Sequence, residues 1–451
     1  PSSHEVVILG AGMSGLCAAV KLKRAGIHDF VILEKQDGLG GTWWDNTYPG
    51  AHVDVPSPVY SFSFAPNPGW TRRFAGAPEI QAYMQKVATR FGLLAHIRLG
   101  TRISAARFDD ATGHWHHDIE RPDGARSTLQ SRFFMCSAGP LSQPRWPDIP
   151  GLDDFQGERL HSARWDHGYA MTGKRVAVIG TGSTASQLVP PIAEQALQLH
   201  VFQRTANWVL PRRDRLYTAL DRLLAQFPPY AAMVRWNWSQ VLEWGRSGFD
   251  EGTLARRALL AAAGAQRKKQ AGNEALRQKL VPPYPLGCKR IIYSNDFYPA
   301  LTRPNVEVIT DAIREVTADA IVDAPGRERP VDAIIFDAMI IEWRGPPPYL
   351  FAVIPDHHIA DIRYAALSES YGWGVVPVIV RIGATDFTTS LFPRDGAYLL
   401  PIKVAVQKAE AIALGDRIAV MVPNLLAFPI AFLGIARAGA VQVNVNPLYT
   451  P

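Results

Sequence analysis

The chain opens with a strand-like apolar run that leads directly into a glycine-rich turn, Glu5–Gly15 (EVVILGAGMSG). Gly10, Gly12 and Gly15 have the spacing GxGxxG, and an amphipathic helix is expected to follow them through about Arg24. The first glycine permits a tight turn, the second lets the backbone approach a pyrophosphate, and the third lets the helix pack on the strand. The phosphates then lie at the helix N-terminus. This stretch predicts a dinucleotide-binding βαβ unit.

The next apolar run supports this prediction. Phe30–Leu33 reads as a second strand, and Glu34 follows it directly. An acid in this position accepts hydrogen bonds from a ribose in dinucleotide-binding folds. Glu34 is therefore expected to bind the same cofactor as the glycine-rich turn.

A second fingerprint lies further along the chain. The apolar run Arg175–Ile179 leads into a GxGxxA turn and a helix. The three residues that define this turn are Gly180, Gly182 and Ala185. They predict a second dinucleotide site.

The strand after this second helix ends differently from the first. Leu199–Phe202 is followed by Gln203, Arg204 and Thr205 rather than by an acid. A carboxylate there would repel the 2′-phosphate of NADPH, whereas an arginine pairs with it. We therefore expect Arg204 and Thr205 to contact NADPH, which is preferred over NADH. An exposed arginine that simply closes a strand is the alternative.

Length and charge exclude several classes of protein. The chain has 451 residues, enough for about three domains, so it is no single small binding module. Its formal charge of +6 is spread along the sequence, and the densest basic run, Arg267–Lys269, fits the solvated face of a helix. Nucleic-acid binding is not expected.

Cysteine usage and hydropathy indicate the compartment. Cys17, Cys136 and Cys288 lie far apart, so neither a disulfide framework nor a metal site is expected. We expect no export signal, because the first residues lack a basic stretch followed by an apolar one, and the most apolar window, about 418–436, is interrupted by prolines and an asparagine. We expect a cytoplasmic protein without an integral membrane segment, and the oligomeric state stays open.

Two motifs between the fingerprints carry a resemblance to a known family. They are Gly40–Trp44 (GGTWW) and Tyr48–Pro56 (YPGAHVDVP), and together they resemble the FAD domain of class B flavoprotein monooxygenases. The resemblance implies a loop that covers the flavin and contacts it through Gly41, Thr42 and Trp43. It also implies that Asp54 lies near the flavin ring and orients a catalytic arginine.

A third motif narrows the resemblance. Its defining residues, in the pattern FxGxxxHxxxW, are Phe155, Gly157, His161 and Trp165. This pattern is similar to the fingerprint of Baeyer-Villiger monooxygenases. The resemblance implies FAD and NADPH as cofactors, and O2 and a ketone as substrates, with an ester or lactone as product. In that family the histidine and tryptophan act through domain linkage.

The segment between about Arg213 and Leu280 reads as helical and resembles the insertion within the family's NADP domain. Trp236 and Trp238 in it either support the substrate side or are core residues. Lys289 and Arg290 follow the insertion. By resemblance Arg290 is the catalytic arginine and Lys289 a contact to NADP, although such a pair is usually solvated.

The resemblance ends at about Phe336. Val331–Phe336 reads as a strand, but Asp337–Met339 replaces the turn expected after it. Residues 340–420 resemble a small bacterial β-rich domain of uncharacterised function. Residues 415–451 resemble a fragment of long-chain acyl-CoA synthetases without the phosphate loop that adenylation needs, so no such activity is expected.

These stretches predict an α/β chain with two Rossmann-like dinucleotide-binding domains and a helical insertion, followed by a small β-rich domain and a short α/β fragment. The expected bounds are 1–140 for the FAD domain, whose C-terminal completion is missing, 141–212 and 288–338 for the NADPH domain, 213–287 for the insertion, 340–420 for the β-rich domain and 421–451 for the fragment.

Three families in one chain indicate a chimera. We therefore expect a Baeyer-Villiger monooxygenase activity that the foreign C-terminal quarter impairs. Two alternatives stay open: a non-functional chimera, and a nucleotide-binding remnant that oxidises NADPH without forming an oxygenated product.

Overall fold

The structure, a computed structural model, describes residues 2–139, 144, 146–336, 350–353, 376–382, 385–394, 397–402, 406, 409 and 410. The chain divides into two compact units, of which the first is built mainly from residues 1–340 and the second from residues 341–441. The fragment expected to resemble acyl-CoA synthetases, residues 415–451, lies outside the described residues.

The first unit begins with a mixed sheet and the helices that flank it. Its elements in chain order are β1 (Ser2–Leu9), α1 (Met13–Arg24), β2 (Phe30–Leu33), α2 (Thr42–Asp45), α3 (Ala77–Arg90), β3 (Ile97–Arg98), β4 (Arg102–Asp109), β5 (His114–Glu120) and β6 (Arg126–Cys136). The strand order is β3-β2-β1-β6-β5-β4. Strands β3, β2, β1 and β6 run parallel, whereas β4, β5 and β6 form an antiparallel meander.

The predicted βαβ unit is present at this sheet. Strand β1 starts three residues before the predicted Glu5, and β2 has the predicted bounds. Ile8 and Ile32 are fully buried in the same core as Leu16 of α1 and Met84 of α3. Successive strand residues point to opposite faces, so each strand also contributes to the core on the other side of the sheet. All four residues of β2 are buried, so this strand is covered on both faces, as its continuous apolar sequence requires.

A second, wholly parallel sheet follows in the same unit. The elements up to the insertion are β7 (Glu158–His161), β8 (Arg175–Ile179), α4 (Ser183–Gln195), β9 (Gln198–Phe202) and β10 (Val209–Leu210). Those after it are β11 (Ile292–Tyr293), α9 (Phe297–Leu301), β12 (Val306–Ile309), β13 (Ile313–Val316), β14 (Ala320–Asp323), β15 (Glu328–Pro330) and β16 (Ala333–Phe336).

The second sheet has the order β12-β9-β8-β16-β7. Strand β16 returns from the far end of the domain and pairs with both β8 and β7. The residues of the FxGxxxHxxxW pattern therefore lie at and around an edge strand, which the sequence analysis did not identify. The order, with β8 and β9 adjacent and parallel, is that of a Rossmann-like sheet.

The insertion between β10 and β11 consists of the helices α5 (Ala219–Leu224), α6 (Pro228–Arg246), α7 (Leu254–Gln270) and α8 (Glu274–Lys279). Thr218 and Asp221 form a reciprocal capping box at the start of α5. The interpretation of Trp236 as a core residue is wrong, because its side chain is 64% exposed. The ring of Trp238 lies against the guanidinium of Arg73, at 5.0 Å from the ring centre.

The second unit contains an antiparallel sheet. Its strands are β17 (Leu350–Val353), β18 (Val376–Ile382), β19 (Thr385–Arg394) and β20 (Ala397–Ile402). They are arranged in the order β17-β20-β19-β18. Leu391, Leu400 and Ile402 are buried. In neither unit do the described residues include a helix that is long and apolar enough to cross a membrane.

Candidate functional site

The first glycine-rich turn has the shape that its sequence predicts. Gly10 has a φ of +97°, and a Cβ atom there would lie 2.7 Å from the carbonyl oxygen of Ser137. A Cβ atom on Gly15 would lie 1.9 Å from the carbonyl oxygen of Gly10. Neither position therefore tolerates a side chain. The turn brings the N-terminus of α1 to the carboxyl end of β1, where backbone N–H groups favour an anion.

Glu34 closes this turn from the end of β2. It is buried, and its Oε2 accepts a hydrogen bond from the backbone N–H of Ala11 at 2.8 Å. Its Oε1 accepts another from the backbone N–H of Gln36 at 3.0 Å. Each carboxylate oxygen has a second lone pair, so both stay able to accept from a ligand hydroxyl.

The GGTWW loop lies directly on the first turn. The backbone N–H of Gly40 donates to the carbonyl of Ala11 at 3.1 Å. Gly41 has a φ of +55°, and a Cβ atom on it would lie 3.1 Å from the Cα of Gly12. The indole Nε1 of Trp43 donates to the hydroxyl of Tyr60 at 3.0 Å. The backbones of the first turn and of the GGTWW loop thus approach each other at Gly12 and Gly41. The space between them, called the cradle below, has no side chain from either glycine.

The second turn is built in the same way. Gly180 has a φ of +122°, and Ala185 is fully buried where the first fingerprint has its third glycine. The hydroxyl of Thr181 donates to the carbonyl of Thr205 at 3.1 Å. The side-chain amide of Asn207 donates to the carbonyl of Thr181 at 2.6 Å. These bonds tie the GxGxxA turn to the segment after β9.

Two cationic residues are neighbours of Thr205, one along the chain and one in space. Arg204 is exposed and, within the described part of the chain, forms no ion pair. The ammonium of Lys289 donates to the hydroxyl of Thr205 at 3.0 Å and lies 4.9 Å from the ring centre of Tyr284. Arg204 and Lys289, far apart in sequence, therefore flank Thr205. This arrangement is suited to a phosphate group.

The predicted catalytic pair is in contact. The Arg290 guanidinium donates from Nη2 to Oδ2 of Asp54. The Asp54 side chain is 16% exposed and that of Arg290 is 53% exposed, so the pair lies at a surface that solvent or a ligand reaches. Burial raises the pKa of Tyr60 and of Tyr293, and the negative charge of Asp54 raises both further. Both phenols therefore stay protonated beside the pair.

The four residues of the FxGxxxHxxxW pattern pack within the domain that contains the second sheet. A Cβ atom on Gly157 would lie 2.6 Å from the carbonyl oxygen of Asp332. The buried His161 ring meets the Trp146 ring edge-on at 5.6 Å, and its Nδ1 accepts from the backbone N–H of Ala163 at 3.1 Å. Phe155 and Trp165 pack on the cores of the second sheet. This set is distinct from the contact between Asp54 and Arg290.

A contact that the sequence analysis missed joins the YPGAH segment to α4. Oε1 of Gln187 accepts from the Tyr48 hydroxyl at 2.9 Å and from the backbone N–H of His52 at 3.2 Å. Its Nε2 donates to the carbonyl of His52 at 3.0 Å. Burial and the adjacent Arg212 lower the pKa of His52 to about 4. Gln187 lies two residues after the GxGxxA turn, and that position is its only sequence signal.

Three family models match the chain in succession, and the last two matches overlap. The family described as flavin-binding monooxygenase-like matches residues 3–227. A domain of unknown function, DUF1905, matches residues 336–422. The AMP-binding enzyme family matches residues 408–451. The chimeric organisation expected from the sequence is confirmed.

Among curated proteins, a Baeyer-Villiger monooxygenase of Streptomyces coelicolor is 44% identical over 350 residues, which cover 74% of this chain and 64% of that protein. A Baeyer-Villiger monooxygenase of Pseudomonas aeruginosa is 43% identical over 334 residues, which cover 74% of this chain and 62% of that protein. The chain thus spans a little under two thirds of the length of these relatives.

Solved structures show the same relationship. An oxidised steroid monooxygenase bound to NADP has a TM-score of 0.65 at 32% identity, over 74% of this chain and 71% of that one. A cyclohexanone monooxygenase from Rhodococcus sp. Phi1 bound to NADP+ has a TM-score of 0.65 at 29% identity, over 75% of this chain and 70% of that one. The predicted mixed α/β fold with Rossmann-like sheets is confirmed. The chain belongs to the flavin-binding monooxygenase-like family, and over 74% of its length it is similar to proteins named Baeyer-Villiger monooxygenases.

Proposed function

We propose that residues 1–338 bind FAD and NADPH and insert one oxygen atom of O2 into a ketone, giving an ester or lactone. The observation that carries this proposal is the contact between Asp54 and Arg290 in the same compact unit as two dinucleotide turns. In this proposal residues 1–140 form the FAD domain, residues 141–212 and 288–338 the NADPH domain, and residues 213–287 a helical insertion. The setting is cytoplasmic, in keeping with three free thiols.

The first turn fits FAD. The cradle between Gly12 and Gly41 has no side chain, and a Cβ atom on either glycine would enter the space where the two loops approach. Backbone N–H groups at the start of α1 would hold the pyrophosphate, and Glu34 would accept from the ribose hydroxyls. Thr42 and Trp43, in the one-turn helix α2, would border the isoalloxazine side.

The second turn fits NADPH. Gly180, Gly182 and Ala185 would hold its pyrophosphate at the start of α4. Arg204, Thr205 and Lys289 would hold its 2′-phosphate, because the Lys289 ammonium contacts the Thr205 hydroxyl and the exposed Arg204 is the adjacent residue in the chain. No carboxylate follows β9 to repel that phosphate.

Bound FAD would supply the redox chemistry that joins NADPH oxidation to O2 reduction. Arg290 would stabilise the negative charge that develops on oxygen as the ketone carbonyl is attacked. Asp54 would hold the Arg290 guanidinium in one orientation, since a carboxylate-guanidinium contact restricts both direction and distance. Tyr60 and Tyr293, kept neutral, would add polar O–H groups without adding charge.

The segment after residue 336 is expected to affect the turnover rate and the fraction of NADPH that yields oxygenated product. More than a third of each of the two relatives named above is not matched, and this chain continues with residues of other families. We therefore expect slow turnover and escape of reducing equivalents as hydrogen peroxide, because exclusion of water protects an oxygenation reaction.

The experiment measures NADPH oxidation, hydrogen peroxide and oxygenated product in one reaction. The purified chain is mixed with FAD, NADPH and a panel of cyclic and linear ketones. Oxygenated product below about 1 turnover per second, with peroxide in excess, is the expected result, since intact enzymes turn over at about 1 per second or faster. NADPH oxidation with peroxide alone would show an uncoupled oxidase. Absence of NADPH oxidation would show a non-functional chimera.

A further inference from the structure

The loop that follows Asp54, residues 56–62, is tied to its own domain by three backbone contacts. The backbone N–H of Ser57 donates to the carbonyl of Arg73 at 2.7 Å. The hydroxyl of Ser57 accepts from the backbone N–H of Ala75 at 2.9 Å. The backbone N–H of Phe62 donates to the hydroxyl of Tyr83 at 2.8 Å. These bonds hold the two ends of the loop. Within its centre, the backbone N–H groups of Val59 and Tyr60 donate to the carbonyl of Pro56, and the Ser61 hydroxyl donates to the carbonyl of Pro58.

A side chain of the helical insertion holds that centre. Nη1 of Arg235, on α6, donates to the carbonyl of Pro58 at 2.9 Å and to the carbonyl of Ser61 at 2.7 Å. The two carbonyls flank Tyr60. Partial burial of the guanidinium lowers the pKa of Arg235, and the two carbonyl oxygens supply hydrogen bonds that water would otherwise make. One side chain from residues 213–287 thus fixes the backbone on both sides of one tyrosine.

Tyr60 extends this contact to the GGTWW loop. Its hydroxyl accepts the Trp43 indole N–H at 3.0 Å, and the two rings meet edge-on at 5.6 Å. Trp43 lies in α2, two residues after Gly41, and Gly41 packs on Gly12 of the first turn. A continuous series of contacts therefore runs from α6 through residues 58–61 and Tyr60 to the cradle.

We propose that Arg235 is a positioning residue of the flavin side of the active site. It fixes residues 58–61 so that Tyr60 holds Trp43 against the first glycine-rich turn. The helical insertion of the NADPH domain thereby sets the geometry of the FAD cradle. This inference rests on the proposed function for the identity of the ligand, whereas the coupling of Arg235 to Trp43 is a property of the protein alone.

The test compares Arg235→Met and Arg235→Lys in the full chain with a matched control, Arg246→Met. Arg246 is an exposed arginine of the same helix and pairs with Glu243. The first measurement is hydrogen exchange of the backbone amides without cofactor. Arg235→Met is expected to speed exchange by about tenfold or more at residues 57–62 and at residues 42–45, since two charge-assisted bonds are lost. Arg235→Lys, which keeps a donor, is expected to recover part of the protection, and Arg246→Met to match the unmodified chain.

The second measurement uses bound FAD. Arg235→Met is expected to weaken FAD binding about tenfold, to change the visible circular dichroism of the flavin and to raise the peroxide fraction, while the KM for NADPH stays unchanged. Tyr60→Phe is expected to have the same effects. The two changes together are expected to cost no more than the larger single effect, because they interrupt one series of contacts.

Two outcomes overturn the inference. One is faster exchange at residues 57–62 with no change at residues 42–45, which would leave Arg235 as a local structural contact. The other is FAD binding by Arg235→Met that equals that of the Arg246→Met control. If the unmodified chain does not bind FAD, the proposed function fails, and hydrogen exchange at residues 42–45 still decides whether Arg235 is coupled to Trp43.

Discussion

Asp54 and Arg290 are separated by 236 residues, and the carboxylate of one accepts a hydrogen bond from the guanidinium of the other. Asp54 follows the YPGAH segment of the first domain, whereas Arg290 follows the helical insertion. Their contact therefore requires both nucleotide-binding parts to be folded and docked.

The first prediction concerns this pair. Arg290→Ala is expected to lower the rate of ketone oxygenation by about 100-fold or more while the spectrum of bound FAD stays the same, because the charge it stabilises forms only during reaction. Asp54→Asn, which keeps the shape of the side chain, is expected to have a smaller effect in the same direction. The measurement is the rate of product formation, together with the product formed per NADPH consumed. Arg303→Ala, which removes an arginine paired with Glu194, is the control, and oxygenation that survives Arg290→Ala unchanged would refute the assignment.

The second prediction concerns cofactor choice. Arg204→Ala is expected to raise the KM for NADPH by about 10- to 100-fold and to leave that for NADH nearly unchanged, because a charged contact to the 2′-phosphate is lost. Steady-state NADPH and NADH oxidation are measured side by side. Arg222→Ala, a change of equal charge on the exposed surface of α5, controls for long-range electrostatics. Equal effects on both cofactors would exclude Arg204 as the phosphate contact.

The third prediction contrasts the two glycine-rich turns. Gly15→Ala is expected to abolish FAD binding and to lower the free energy of unfolding by about 3 kcal/mol or more, since its Cβ atom would lie 1.9 Å from the Gly10 carbonyl oxygen. Ala185→Gly, at the corresponding position of the second turn, is expected to cost only about 1 kcal/mol. Urea unfolding and FAD titration measure both effects. Normal FAD binding by Gly15→Ala would contradict the prediction, because it would mean that the turn can accommodate a Cβ atom at this position.

The fourth prediction concerns pH and His117 on β5. His117 is fully buried with its Nε2 2.8 Å from the Ser131 hydroxyl, and burial together with His116 lowers its pKa to about 4. In the unfolded chain a histidine has a pKa of about 6.5. Between these values the unfolded state binds a proton that the folded state does not, so stability is complete above about pH 6.5 and falls as the pH is lowered toward 4.

The size of this effect can be measured with a matched variant. Between pH 7.5 and pH 5.0 the unmodified chain is expected to lose about 2 kcal/mol more unfolding free energy than His117→Gln, at about 1.4 kcal/mol per pH unit below pH 6.5. Urea unfolding at the two pH values gives the difference. His28→Gln, at an exposed histidine of the same domain, is expected to keep the full pH dependence. Equal pH dependence of His117→Gln and the unmodified chain would contradict the prediction.

Much of the fold was accessible from sequence because its determinants are local. Strand β2, strand β8 and helix α1 have bounds at or near those predicted, since each is a short apolar or amphipathic run that ends at a glycine or at a charged residue. The edge strand β7 was not predicted. Its four residues carry a polar mixture, and only pairing with β16 makes them a strand.

The sequence by itself determined the two glycine turns, the acid after β2 and the arginine after β9, because a tight turn and a strand end depend on neighbours within a few residues. Resemblance, not residue chemistry, singled out Asp54 and Arg290. Only the tertiary structure decided that they touch, that Gln187 joins His52 to α4, and that Arg235 holds the carbonyls around Tyr60. It also decided that Trp236 is exposed. The three contacts join residues more than a hundred positions apart in the sequence. They form only when whole domains pack together, and the residues next to each partner carry no information about the other partner.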